Sequence, residues 1–557
     1  HPFYLKTAAG TGTGNQISGV TNNGTPNGSV VWTPSAAGTY YYQCGPHAAM
    51  VGTITVTAVN DTPLASNVSA ATVKNTNASI HLVASDKDYD NLTYSIVSNP
   101  SNGSASLSGD TVTYTPTTGF SGTDSFTFKA NDGTVDSATK KVTIKVVEGY
   151  LETATQIGAD IDGAEAGDYQ GTSVSFNEDH SVMAVGATGH DSKGTVRIYT
   201  YSGGSWSQQG SDLDGGDNDE QGQSVSLSSD GTTLVVGAGS FDKYKGHVNI
   251  YNYNGTEWSD QEDDLQGEEE GDNQGASVSL SSDGTTLAVG AYFHDDGKGT
   301  VRIYTYSGST WTQQGSDLDG AAANDYQGYS VSLSSDGTTL AVGAYKHDSD
   351  EKGTVRIYTY NGSSWSQQGS DLDGAAANDK QGASVSLSSD GTTLAVGAYK
   401  HDSYKGTVRI YTYNGTAWTQ KGSDLDGEAG GGEDAGDRQG MSVSLSSDGT
   451  TLAVGAPGYD SQKGTVRVYT YNGTAWSRQG GDFDGAAASD YQGYSVSLSS
   501  DGTTLTVGAA AHDSQKGTVR VYNLIDFSPV ATAQSVTVTE QVASTITLAG
   551  TDPDGST

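Results

Sequence analysis

Between Gly38 and Val56 the chain reads GTYYYQCGPHAAMVGTITV, which places Cys44, His47 and Met50 in one short window. The whole chain holds a single cysteine and three methionines, so a thiol and a thioether on either side of an imidazole is a specific arrangement. Thiolate and imidazole nitrogen hold copper in both oxidation states, and a weak axial thioether tunes the potential; this is the donor set of a blue-copper site. Such a set needs one more histidine upstream, and His1 is the fourth ligand expected. The competing account is a buried thiol beside an unrelated His and Met.

Carboxylates supply the other candidate chemistry. Asp86, Asp88 and Asp90 alternate in SDKDYDN, a spacing that offers three oxygens to calcium. Asp317, Asp319 and Asp325 take positions 1, 3 and 9 of a second oxygen-ligand pattern, and Asp371, Asp373 and Asp379 repeat it. Position 5 is alanine in both, so backbone or water would have to contribute there. The plainer account is an acidic rim in which aspartates form turns. His-Asp pairs at His190, His294, His347, His401 and His512 resemble catalytic dyads. A catalytic pair is needed once, beside a nucleophile, so five copies at one loop position favour a turn role.

These residues sit in a repeated framework. GTVRIY or a variant begins at Gly194, Gly246, Gly299, Gly353, Gly406, Gly464 and Gly517, marking seven near-copies of about fifty residues. A unit of this kind cannot bury its apolar face alone, so the copies must stack. In the fourth copy, QGYSVSLSSDG, TTLAVGA, GTVRIYTYNG and SSWSQQGSDLDG read as four strands with Ser-Asp-Gly and Asn-Gly at the bends. The last copy ends near Leu524 without a fourth strand, whereas TATQIGADIDG (153–163), ahead of the first copy, aligns on TWTQQGSDLDG (310–320). The N-terminal piece can therefore complete the seventh unit and close a ring, which removes strand edges. The expected fold is all-β: a seven-bladed β-propeller with flanking β-sandwich domains. The six tryptophans from Trp206 to Trp476 fall at one strand position and are expected to pack between units.

The repeats, through QG-x-SVSLS, LAVGA and G-T-V-R-I-Y, resemble the FG-GAP, integrin-α-like propeller family over about residues 150 to 526, with Gln where the family has Phe. The resemblance implies an extracellular binding and adhesion platform. The family's calcium hairpin, D-x-D-x-D-G, is here only Ser-Ser-Asp-Gly in most copies. Residues 1–57 resemble a partial cupredoxin (plastocyanin-like) domain, carried by His1, Cys44, His47 and Met50 and lacking the family's earlier strands. Residues 58–148, through D-x-D-x-D and NDG (131–133), resemble bacterial cadherin-like or Ig-like tandem domains, and residues 528–557 begin a second copy. The propeller then occupies 149–527.

Composition bounds the partners. The net charge of −38 would repel phosphate backbones, so nucleic acid is not expected. No apolar run is long enough for a membrane helix. The chain opens at His1 and ends in mid-pattern, and reads as a fragment of a large secreted or cell-surface prokaryotic protein. The expected function is a non-enzymatic binding platform. Its ligand, an extracellular protein or glycan, would meet the loops that vary between copies, AAANDYQ or EEEGDNQ and YKHDSDEK or PGYDSQK. The alternative is a copper electron-transfer protein with a redox partner and the propeller as scaffold. A carbohydrate-processing enzyme is disfavoured because near-identical copies offer no unique carboxylate cluster.

Overall fold

The computed structural model describes residues 2–557 except 12, 18–19, 25–29, 33–37, 57–59, 61, 75, 87–89, 148, 262–264, 429–435, 527–529, 532–549 and 552–557. His1 and Asp88 lie outside the described residues, as does most of 528–557. The chain is all-β and divides into two compact units, 1–62 and 63–557. In the first, Phe3–Lys6, Gly38–Cys44 and Val51–Val56 form a three-stranded antiparallel sheet.

The second unit begins with a sandwich. One sheet orders Ala78–His81, Thr111–Pro116 and Gly103–Ser108; the other orders Val68–Val73, Lys140–Val147, Gly122–Asn131 and Thr93–Ser98. Alternation puts Ile80, Tyr114, Phe126, Phe128 and Ile144 on the inner faces, fully buried. The Asp124 carboxylate ties the layers, accepting from Tyr114 Oη at 3.0 Å and from the N–H groups of Ser101 and Asn102.

Seven antiparallel sheets follow, one for each copy of the repeat. In the fourth, Gln327–Leu333, Thr339–Ala344, Thr354–Tyr360 and Trp365–Gln367 pair in order, and Leu372–Asp373 returns to the start of the third strand. The middle strands are apolar on both faces because sheets flank them, and each core cluster spans two copies. In one such cluster Val355 and Ile357 meet Leu394, Val396 and Trp418. Full burial of one such side chain contributes about 1.5–3 kcal/mol.

The sheets join head to tail by parallel bridges between the glycine of GTVRIY and the glutamine of the next copy, from Gly194↔Gln221 through Gly464↔Gln492. Glycine is required there: Gly194 has φ +76°, and a Cβ would lie 2.3 Å from Gln221 N. Gln170↔Gly517 supplies the same bridge between the first and seventh copies, so the arrangement is a closed, propeller-like ring. Gly149–Gln156 pairs with Thr518–Asp526, Gln156 opposite Tyr522, and Ile161 pairs with Val519. On the channel side, Ser495 Oγ donates to Gly171 O at 2.8 Å, the contact that every inner strand makes to its neighbour.

Candidate functional site

Gln327 opens the first strand of the fourth sheet. It is fully buried, its Nε2 donates to Leu318 O at 2.6 Å, and its Oε1 accepts from Arg356 Nη1 at 2.6 Å. Arg356 Nε in turn reaches Asp371 Oδ2 at 2.9 Å. The same Gln–Arg–Asp chain recurs at Gln274–Arg302–Asp317 and Gln492–Arg520–Asp160. The buried glutamine amide and the Nε and Nη1 groups of these arginines are thereby satisfied, as burial demands. The second copy departs: Asn249 replaces Arg and donates to Gln221, while Phe241 stacks on His247 at 4.2 Å in place of the His-Asp contact.

The histidines of the His-Asp pairs face a different aspartate from the adjacent one. His347 Nδ1 lies 3.0 Å from Asp325, and His190, His294, His401 and His512 meet Asp168, Asp272, Asp379 and Asp490 in the same way. The adjacent Asp is the turn former: Asp295 (φ 51°), Asp348 (75°) and Asp402 (49°) adopt the left-handed region that Asp tolerates.

This geometry divides the expected calcium sets. Asp371 and Asp373 come together with His347, but Asp379 belongs with His401 and accepts the N–H groups of Ala375 and Ala376. Asp317 groups with Glu268 and His294 and is held by Arg302; Asp319 lies 3.4 Å from Lys298 Nζ; Asp325 caps the N–H groups of Ala321 and Ala322. In the sandwich, Asp86 Oδ1 accepts from Asp90 N–H at 3.4 Å, and neither joins a described cluster of metal-ligating groups. In the first unit, buried Cys44 places Sγ 3.4 Å from His47 Nδ1. Met50 donates its N–H to His47 O and accepts from Cys44 N–H on the backbone, while its side chain is exposed.

The ring has two unlike mouths. At the Ser-Asp-Gly hairpins, backbone hydrogen bonds run from copy to copy, Glu178 N–H to Ser229 O through Ser447 N–H to Ser500 O. The sandwich faces this mouth across a cavity of about 380 Å³ lined by Val68, Ile80, His81 and the Ser-Asp turns. Lys145 Nζ meets Asp501 Oδ2, and His81 Nε2 lies 3.4 Å from Asp390 Oδ2.

The opposite mouth carries the differences between copies. The residue before each Gln-Gly is left-handed in all seven and differs through most of them: Tyr169, Glu220, Asn273, Tyr326, Lys380, Arg438 and Tyr491, with φ between 54° and 58°. Non-glycine residues held in this region cluster at functional sites. Beside them, Tyr292, Tyr345 and Tyr399 follow the second strands, and Tyr329 and Tyr494 extend from the first. Tyr329 and Tyr345 have ring centroids 4.0 Å apart. Burial pushes the Tyr329 phenol up, with Tyr345, Tyr399, Tyr494 and Tyr292 adding to the effect. Sequence reasoning named the loops but missed these tyrosines, which stand at the ends of constant strands.

The bacterial Ig domain pattern matches residues 60–145, and the FG-GAP repeat pattern matches residues 311–359. Both modules are typical of extracellular or surface proteins. No curated protein matches the chain. Among solved structures, it is similar to a candidate 6-phosphogluconolactonase from Bacteroides uniformis ATCC 8492, at 12% identity over 57% of this chain and 85% of that one, TM-score 0.43. It is also similar to Kuenenia stuttgartiensis hydrazine synthase, at 13% identity over 67% of this chain and 98% of that one, TM-score 0.43. Likeness at that level carries no functional weight. Among the described residues, no helix is long and apolar enough to cross a membrane.

Proposed function

We propose that this chain is the ligand-binding part of a large extracellular or cell-surface prokaryotic protein. In this reading the ring is a seven-bladed FG-GAP platform, the sandwiches are spacers, and no catalysis is performed. The observation that carries the reading is the concentration of variation at one mouth, where near-identical strands present Tyr326, Lys380 and Arg438 at equivalent positions. Differences that folding does not need, gathered on one face, are what a binding surface requires. The test is capture of the intact chain on an array of purified glycans and matrix proteins. A variant with Tyr345→Ser and Lys400→Ser should lose what the parent captures, whereas Asn361→Ser, on an outer hairpin, should not. Capture that survives the first variant would remove the reading.

A second reading rests on the Cys44–His47 contact: a copper electron-transfer site with Cys44 thiolate, His47 and His1 as donors and Met50 axial. Copper there would supply one-electron chemistry. Adding Cu(II) should then produce an intense visible band that Cys44→Ser abolishes; no band in the parent protein sinks this reading.

A further inference from the structure

The variable mouth is polarised. The second and third copies present Glu220, Glu268, Glu269 and Glu270 there. The fourth to sixth present cations set on aromatic rings. Lys346 Nζ lies 4.3 Å from the Tyr326 ring centre and Lys380 Nζ 5.4 Å from that of Tyr345. Lys400 Nζ is 4.9 Å from the Tyr404 ring, with the Arg438 guanidinium 5.6 Å from the same ring. Glu351 is the carboxylate that stands among these lysines: it pairs with Lys380, and that bond together with the charges of Lys346 and Lys400 holds it below the usual range. Lys380 is only 2% exposed, and burial lowers it, as do the charges of Lys346 and Lys400.

Of the other carboxylates lining the recess beside Lys346, Asp325 is engaged by His347 and Asp348 by Lys352, so the three ammonium groups around Glu351 leave an excess of positive charge, in a chain whose net charge is −38. The fold does not require it. Where the fourth and fifth copies have Lys346 and Lys400, others have Gly189, Ser240 and Ala511 on the same strand framework. Exposed aromatics flank the cations, Phe293 at 42% and Tyr494 at 40%.

Building on the binding-platform reading, we propose that this quadrant binds an acidic polysaccharide, its carboxylate or sulfate groups meeting Lys346, Lys400 and Arg438 and its sugar rings lying against Tyr345 and Phe293, while the buried Lys380 adds its charge from beneath. The electron-rich ring faces suit the C–H face of a pyranose, and the phenol tips suit its hydroxyls. Screening decides whether an anion can approach. At physiological salt the Debye length is about 8 Å, so distant carboxylates are damped while direct contacts persist. Nucleic acid, with a charge every ~1.7 Å of duplex, needs a longer basic track than these few accessible cations provide.

The test is affinity electrophoresis of the intact chain in gels containing polygalacturonate, dextran sulfate, polyglutamate or neutral dextran, at low and high salt. Retardation by polygalacturonate or dextran sulfate, weakened by salt, is expected, and whichever polymer retards more assigns carboxylate or sulfate. Lys346→Gln and Lys400→Gln, each with an unchanged melting temperature, should each weaken binding about tenfold, and their combination more. Absence of retardation by both acidic glycans, a preference for polyglutamate, or unchanged binding in the double variant overturns the proposal. Capture of dextran alone, lost in the double variant, overturns the acidic ligand but leaves the binding mouth standing; capture indifferent to the variants removes both.

Discussion

Lys145 Nζ lies 2.6 Å from Asp501 Oδ2, joining the last strand of the sandwich to the hairpin of the seventh sheet. The Asp501 side chain is 4% exposed. Burial works against its charge, but His180 and Lys145, with hydrogen bonds from Lys145 and Thr503, hold its carboxyl far below the ordinary range. The sandwich is thereby fixed to the ring by an ion pair rather than by a linker alone.

Removing the cation should therefore cost more than a surface pair would. Breaking a buried pair costs about 3–5 kcal/mol. Lys145 is 30% exposed, so solvent compensates part of this, and about 1–3 kcal/mol is expected for Lys145→Met. Urea unfolding measures it, and a second substitution, Asp501→Asn, should recover part of the loss. A change within about 0.5 kcal/mol would show that the pair does not hold the junction.

Two histidines at this junction give opposite pH signatures. His180 is held below its usual pKa by burial, against the pull of Asp501. Its contribution is present above the unfolded value of about 6.5 and lost as pH falls below it. His81 is raised, first by its hydrogen bond to Asp110 and then by Asp390. That contribution is full below about 6.5 and lost as pH rises through the raised folded value. His180 also has φ 61°, at a position where the other copies have glycine, such as Gly231. His180→Gly should leave only the His81 signature, so the variant's melting temperature should fall less than the parent's between neutral and mildly acid pH. Parallel curves would refute this.

The ring was legible from sequence because its determinants are local and repeated: the Gly194-type glycines, the Ser-Asp-Gly turns, and the match of residues 153–163 to a fourth strand. The partner of His347 was not, because Asp325 lies on another loop and only folding brings it nearer than Asp348 is in sequence. The docking of Lys145 on Asp501 depends on how two folded bodies meet, which no periodicity encodes. The cationic mouth was half legible. Loops such as AAANDKQ show that Lys380 varies, but its approach to Tyr345 requires two neighbouring copies side by side.

Gln327→Leu isolates the value of the buried polar chain. The substitution leaves Arg356 Nη1 and Leu318 O without the partners they have now. A buried group so orphaned costs about 1–3 kcal/mol; Arg356 Nη1 is buried and Leu318 O half-buried, so a loss of about 1–4 kcal/mol is expected in chemical denaturation. A neutral result would mean that water or a shifted Arg356 replaces the glutamine.

Ring closure can be tested within the full chain. Ile157 N–H donates to Val521 O at 2.7 Å, and Ile161 pairs with Val519. Proline lacks the N–H, and in a paired strand it removes a ladder hydrogen bond. Ile157→Pro with Ile161→Pro should therefore detach this strand and bare the edge of Thr518–Asp526, which pairs with it. An unpaired edge is a template for another chain. The variant should melt lower and elute as larger species that grow with concentration. The control is made on a strand end remote from closure: Ser205→Pro, at the exposed start of the first copy's fourth strand, should remain monomeric. If the double variant stays monomeric and melts with the parent, the ring is held by its parallel bridges alone and the borrowed strand is dispensable.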